Sequence, residues 1–231
     1  MADKRVIVAI DGPAGAGKST LAKRLADKLG FRYLDTGAMY RAIALWSLRL
    51  KIPSSDMHRL EQLANEANIE LAEGQRVLLN GEDVTGEIRS REVSNTASQI
   101  AAIPAVRRAL VRHQRAMAEK ASLIAEGRDV GSVVFPTAQV KIFLDAHADE
   151  RVRRRALELR KTTGSTPDVA TLTGEITQRD HRDRTRTEAP LVQAPDAELV
   201  DTTNLSLDEV ENVILKIIRA RISNGKEVAP G

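Results

Sequence analysis

The sequence predicts an α/β fold: a parallel sheet with helices on both faces. Three observations carry that expectation. Short apolar, β-rich runs alternate with segments of helical periodicity. A Gly-rich loop joins the first of these runs to the first helix. One stretch, at about Ile69 to Ile88, breaks the alternation with closely spaced short strands and reads as a small inserted β-subdomain.

Val6-Ile7-Val8-Ala9-Ile10 reads as a buried parallel strand. A helix follows from Ser19 to Leu29, with Leu21, Leu25 and Leu29 at helical spacing and Gly30 as its stop. Phe31 to Leu34 is the second strand. Asp35-Thr36-Gly37 opens a helix that carries Met39, Ile43, Leu45, Trp46 and Leu50, and Ile52-Pro53 marks its end. In the insert, Val77-Leu78-Leu79 is a strand and Asn80-Gly81 signals a type I′ hairpin. Helical pattern resumes from about Ser94 to Ala121, with Pro104 as a break or a first-turn residue.

Leu123-Ile124-Ala125 and Val140-Lys141-Ile142-Phe143-Leu144 are two further core strands. Asp145 and a basic helix from about Asp149 to Lys161 follow, then a polar loop from Thr162 to Pro167. Glu175 to Arg186 reads as a charged helix. Leu199-Val200-Asp201 is a fifth strand, Leu207 to Ile222 a final amphipathic helix, and Ser223 to Gly231 a frayed tail.

The composition is that of a globular protein, 42% hydrophobic and 29% charged, with aromatics at only 3%. The core must therefore rest on Leu, Ile, Val and Ala. There is no cysteine, so disulfides and thiolate metal sites are excluded and a reducing cytoplasm is the expected setting. The first apolar run is too short for a signal peptide, and no apolar stretch reaches the roughly 18 residues of a membrane span. The net charge is only +3, but arginines cluster at 107–115, 151–160 and 179–186. Such clusters suit nucleic acid or phosphorylated small molecules, or are solvated helix faces; scarce aromatics count against a stacking single-strand binder.

Gly12-Pro13-Ala14-Gly15-Ala16-Gly17-Lys18-Ser19 matches G-x-x-x-x-G-K-[ST] with a strand before it and a helix after it. The glycines let backbone N–H groups turn inward onto phosphate oxygens, and the helix N-terminus adds partial positive charge. Lys18 is expected on the β- and γ-phosphates, Ser19 on Mg²⁺, and Thr20 as a further phosphate contact. The motif points to a nucleoside triphosphate and says nothing of what receives the phosphate.

Three other motifs bear on the acceptor. In Asp35-Thr36-Gly37-Ala38-Met39-Tyr40-Arg41, Thr36 and the helix N-terminus offer an anion site with Arg41 one turn inside; the bland alternative is a plain helix cap. In Glu126-Gly127-Arg128-Asp129-Val130-Gly131, the glycines permit a tight loop at the carboxyl edge of the sheet. There Arg128 offers a phosphate fork and Asp129 an acceptor for an amino group; the alternative is a surface ion pair. Arg179, Arg182, Asp183 and Arg186 recur at helical spacing on one stripe, with Arg184 off it and able to pair with Asp180. Clustered arginines suit a phosphoryl group in transfer, or, more blandly, a solvated helix with an Arg179–Asp183 pair.

Taken together, GPAGAGKST, DTGAMYR, GRDVGSVVFPTAQVKIFLDA and QRDHRDRTRTEAPL resemble the bacterial-type cytidylate kinases, over about Val6 to Ile218. The resemblance implies a single P-loop kinase domain over 1–231 with a five-stranded parallel core. It places a nucleotide-monophosphate subdomain with its β-rich insert at 36–105 and a short helical lid at 155–190. It implies phosphorylation of CMP and dCMP from ATP with Mg²⁺, in a cytoplasmic monomer with no nucleic-acid or membrane partner. Carried over by motif, Thr36, Arg41, Arg128 and Arg186 surround the acceptor phosphate, with Lys18, Arg128, Arg179 and Arg186 as the catalytic set. Ser98, Arg107 and Asp129 read cytosine. Asp183 and Arg179, with Tyr40 nearby, hold the ribose. Two rivals stand beside this reading: a P-loop kinase for another small acceptor such as UMP, and a nucleic-acid-binding or nucleotide-switch protein. The absence of an N-K-x-D motif counts against a GTP switch.

Overall fold

The computed structural model describes residues 5–119, 121–163 and 168–224. The polar start before Arg5, the expected loop from residue 164 to Pro167 and the expected tail from residue 225 onward lie outside the described residues. The chain divides into two compact units. The first comprises Met1–Tyr33, Ala121–Thr185 and Ala189–Gly231, and the second Leu34–Lys120 and Arg186–Glu188. Among the described residues no helix is long and apolar enough to cross a membrane.

The first unit is built on a parallel sheet. β1 (Ile7–Asp11) lies between β6 (Leu123–Gly127) and β7 (Val140–Asp145), with Ile10 beside both Glu126 and Ile142. β8 (Glu198–Asp201) pairs with β7, and β2 (Arg32–Asp35), which straddles the unit boundary, completes the order β2-β6-β1-β7-β8. All five expected core strands are present, and the parallel α/β class holds. α1 (Lys18–Leu29) and α8 (Leu207–Asn224) cover the sheet, burying Leu21, Leu25, Ile214 and Ile218 against Val8, Ile10 and Ile142. Gly30 ends α1 as expected, in the left-handed region with its N–H returned to the Ala26 carbonyl. The one lysine in a core strand, Lys141, is neutralised at its tip. It donates to the Pro136 carbonyl at 2.6 Å and pairs with Asp196 at 2.8 Å.

α6 (Ala148–Thr163) and α7 (Val169–Thr185) pack through Val152, Leu172 and Ile176, with Ala156 and Leu159 against them. Here two expectations are corrected. α7 begins six residues before Glu175, and it ends at Thr185, so Arg186 is not on its face. The Leu191 N–H turns back to the Asp183 carbonyl at 2.7 Å, and the chain leaves the helical path before Pro190. Gly127 and Gly131 are likewise not needed for positive φ; Val130–Val134 forms a π-helical turn. A Cβ on Gly131 would stand 3.2 Å from Lys141 Cδ and 3.4 Å from Asp11 Oδ2, so glycine serves close packing there.

The second unit holds α2 (Thr36–Arg49), α3 (Met57–Glu66), the antiparallel strands β3 (Ile69–Ala72), β4 (Arg76–Leu79) and β5 (Glu82–Asp83), then α4 (Arg91–Ile100) and α5 (Pro104–Ala118). The insert is confirmed as a three-stranded sheet. Asn80 and Gly81 have φ of 52° and 86°, the two positive values a type I′ turn requires. Pro104 divides the long helical stretch and takes the first position of α5. No element was expected between Pro53 and Ile69. α3 fills that gap, capped by the Asp56 carboxylate on the Arg59 N–H and burying Leu60, Leu63 and Ala64.

Candidate functional site

In the first unit the chemistry gathers at the carboxyl ends of β1 and β6. Gly12 leaves β1 so close to β7 that a Cβ would lie 2.0 Å from the Leu144 carbonyl oxygen. Gly15 turns at φ 78°, and a Cβ there would lie 2.7 Å from the Arg151 carbonyl oxygen. These two contacts explain why the loop demands glycine where it passes the sheet and α6. Gly17 then caps α1, whose first residue is Lys18.

Lys18 is buried, and its ammonium donates to the Pro13 carbonyl at 2.7 Å. Burial pushes its pKa down to about 7, the Arg128 cation adds to the effect, and Glu126 opposes it. The Ser19 hydroxyl donates to Glu126 Oε1 at 2.5 Å, and the Tyr33 hydroxyl reaches the same oxygen at 3.1 Å. A carboxylate beside the Ser19 hydroxyl is a hard-oxygen pair, the donor chemistry Mg²⁺ takes. Glu126 had no role in the sequence reading. Its signal was its place in the Glu126-Gly127-Arg128 motif at the end of a strand next to β1.

Asp11 is the second such residue. Its carboxylate accepts the Val130 and Gly131 N–H groups, each at 2.7 Å. It thereby ties the last residue of β1 to the turn that follows Arg128 and Asp129. Burial pushes the Asp11 carboxyl up to about 6, against these two hydrogen bonds, which favour its charge.

Arg128 Nε donates to Asp183 Oδ2 at 2.9 Å, and its Nη1 donates to the Gly127 carbonyl at 3.3 Å. Arg128 and Asp129 are therefore not an exposed surface pair: Asp129 is buried and Arg128 faces α7. The expected partner of Asp180 is corrected as well. Its carboxylate pairs with Arg151 on α6 rather than with Arg184, because Arg151 is buried beside it while Arg184 is exposed. The structure thus brings the phosphate loop from Gly12 to Thr20, Arg128, Asp129, Arg179 and Asp183 into one unit.

The second unit carries the other expected residues. The Asp35 carboxylate caps α2 by accepting the Ala38 N–H at 2.8 Å, and it lies 3.9 Å from Arg41 Nη2. Asp35 itself thus occupies one of the N–H groups expected to serve an anion beside Thr36. Gly37 permits the approach, since a Cβ there would meet both groups at 3.2 Å. Arg107, almost fully buried, lies over the Tyr40 ring at 5.5 Å and donates to the Ala101 carbonyl at 3.0 Å. Tyr40 is therefore brought to Arg107. Ser98 is buried on α4, and Arg186 belongs to the 186–188 segment of this unit.

The comparisons bear on the same motifs. Residues 8–220 match the family model described as cytidylate kinase. A cytidylate kinase from Solibacter usitatus (strain Ellin6076) is 60% identical over 97% of this chain and 97% of its own length. One from Pelotomaculum thermopropionicum is 49% identical over 95% of this chain and 96% of its own. One from Symbiobacterium thermophilum is 46% identical over 94% and 97%.

Proposed function

The chain belongs to the cytidylate kinase family, and on that premise we propose how its residues move a phosphoryl group from ATP to CMP and dCMP. It is a kinase, and nothing favours UMP as the natural acceptor. The reaction is ATP + (d)CMP → ADP + (d)CDP. An oxygen of the acceptor phosphate bonds to the γ-phosphorus, and the bond to the β–γ bridging oxygen breaks. The acceptor phosphate has a second pKa of about 6, so it is mostly dianionic at neutral pH and needs no general base. What the protein supplies is position and positive charge.

The observation that carries the reading is the cluster in the first unit. The loop N–H groups and Lys18 take the phosphates of ATP; the negative charge of bound phosphates draws Lys18 back toward its protonated form. Arg128 and Arg179 face the phosphoryl group, with Asp183 orienting Arg128. Ser19 and Glu126 are the residues that would hold Mg²⁺, which would neutralise phosphate charge there. In the second unit, Thr36 and Arg41 are assigned to the acceptor phosphate, Ser98 and Arg107 to the base, and Tyr40 holds the Arg107 guanidinium in place. Arg186 is assigned to the phosphate in transfer, Asp129 to the cytosine amino group, and Asp183 to the ribose as well as to Arg128.

The test of this assignment is the Mg²⁺ dependence of turnover. Ser19→Ala and Glu126→Gln are each expected to raise the Mg²⁺ concentration for half-maximal rate at least about 10-fold, the range seen when groups around a metal are removed. Unchanged Mg²⁺ dependence in both variants contradicts the metal assignment.

A further inference from the structure

Ala14 lies in the middle of the phosphate loop, and both of its backbone polar groups are held. Its N–H donates to Asp180 Oδ1 at 3.1 Å, and its carbonyl accepts from Arg151 Nη1 at 3.1 Å. The same Arg151 nitrogen donates to the other oxygen of Asp180, and Arg151 Nε is fixed by the Ala146 carbonyl at 3.0 Å. The pair is buried, with side chains 11% and 10% exposed. The two peptide groups that flank Ala14 are thus gripped, the one before it by a carboxylate from α7 and the one after it by a cation from α6. Gly15, the next residue, lies in contact with the Arg151 backbone, where even a methyl group would not fit.

We propose that Arg151 and Asp180 are positioning residues for phosphoryl transfer: they hold the two peptide groups flanking Ala14 and set α7 against the phosphate loop. This rests on the kinase reading above. Asp180 and Asp183 sit three residues apart on α7, so they share a face. Asp180 grips the loop and Asp183 grips Arg128. Arg179, assigned to the phosphoryl group, is the neighbour of Asp180 in sequence. A shift of α7 relative to the loop therefore moves Arg179, and the Asp183 contact to Arg128, together. Stability alone is a poor account of such a pair, because the desolvation of two buried charges offsets most of their attraction. Geometry is what it adds, and errors of about 1 Å in such sites can cost about 10²-fold in rate.

The experiment uses the full chain with ATP, Mg²⁺ and CMP, and compares Asp180→Leu, Arg151→Met and the double variant. Each single variant leaves a buried group without its partner and can lose stability for that reason. The double variant removes both charges and restores a neutral interior. The expected result is a kcat lowered at least about 10-fold in the folded double variant, with KM for CMP and ATP changed less than about 3-fold. Amide exchange at Ala14, measured without substrates, is expected to accelerate in the same variant while exchange in the β1 core stays slow. A double variant with kcat within that 10-fold margin, or with Ala14 exchange unchanged, overturns the proposal. Exchange is read independently of turnover, so a wild-type enzyme inactive on CMP would indict the kinase reading alone, and Ala14 exchange would still decide the clamp.

Discussion

Lys18 and Asp11 illustrate how burial sets the chemistry of single residues here. Burial, with the neighbouring Arg128 cation, disfavours the Lys18 ammonium, and a bound phosphate is the counter-charge that restores it. Lys18→Ala is expected to lower kcat at least about 10³-fold, the scale of phosphate-clamp losses in phosphoryl transfer, with unchanged far-ultraviolet circular dichroism. Near-normal turnover would remove Lys18 from the catalytic set. Asp11 shows the opposite shift, up to about 6 from an ordinary value of 3.8. Between those two pH values the native state binds a proton that the unfolded chain has released. The Asp11 contribution to stability is therefore highest below pH 4, falls as pH rises toward 6, and is flat above that, by up to about 3 kcal/mol. Urea unfolding at pH 4.5, 5.5 and 6.5 should show this slope in the difference between wild type and Asp11→Asn; parallel curves would contradict it. The role of Asp11 was not legible in the sequence. Its partners, Val130 and Gly131, are more than a hundred residues away, and only the β1–β6 pairing brings them near.

Elements whose signals are local were the legible ones. The Gly12–Thr20 loop and the Asn80-Gly81 turn are each written in contiguous residues, and both formed as expected. Gly81→Ala is expected to cost about 1–2 kcal/mol through its positive φ alone, since no atom lies within 4 Å of the added methyl. Chemical denaturation checks the figure, and no loss would mean the hairpin adopts another turn. α3 is the exception among local signals: its Asp56 cap and its Leu60, Leu63 and Ala64 spacing are written in the sequence, but they follow Pro53, which reads as a stop. α7 was half read. Helical spacing suggested Asp180 with Arg184 and Asp183 with Arg179. Asp180 pairs instead with Arg151, 29 residues away, and Asp183 takes Arg128, 55 residues away. Spacing along a helix names neighbours on its face. It does not name the buried cation that another element presents.

For the whole molecule, two compact units carry separate parts of the assigned chemistry, phosphate handling with Arg128 and Asp129 in one and Ser98, Arg107 and Arg41 in the other. The basic stretch at 151–155 is largely matched within itself and its surroundings: Arg151 with Asp180, Arg153 and Arg154 with Glu150, Arg155 with Glu158. Matched arginines attract few phosphates of a polymer, so anisotropy with single-stranded DNA at low salt is expected to show no binding tighter than about 100 μM; tight binding that weakens steeply with salt would contradict this. The molecule phosphorylates cytidine monophosphates. Cytosine offers an amino donor where uracil offers a carbonyl, and an ionised Asp129 can only accept. Sites built on such hydrogen bonds leave buried groups unpaired with the wrong base. The decisive measurement is kcat/KM with ATP and Mg²⁺ for CMP, dCMP, UMP and AMP. CMP and dCMP are both expected to be used, with CMP exceeding UMP and AMP by at least about 10²-fold. Comparable kcat/KM for UMP would contradict it.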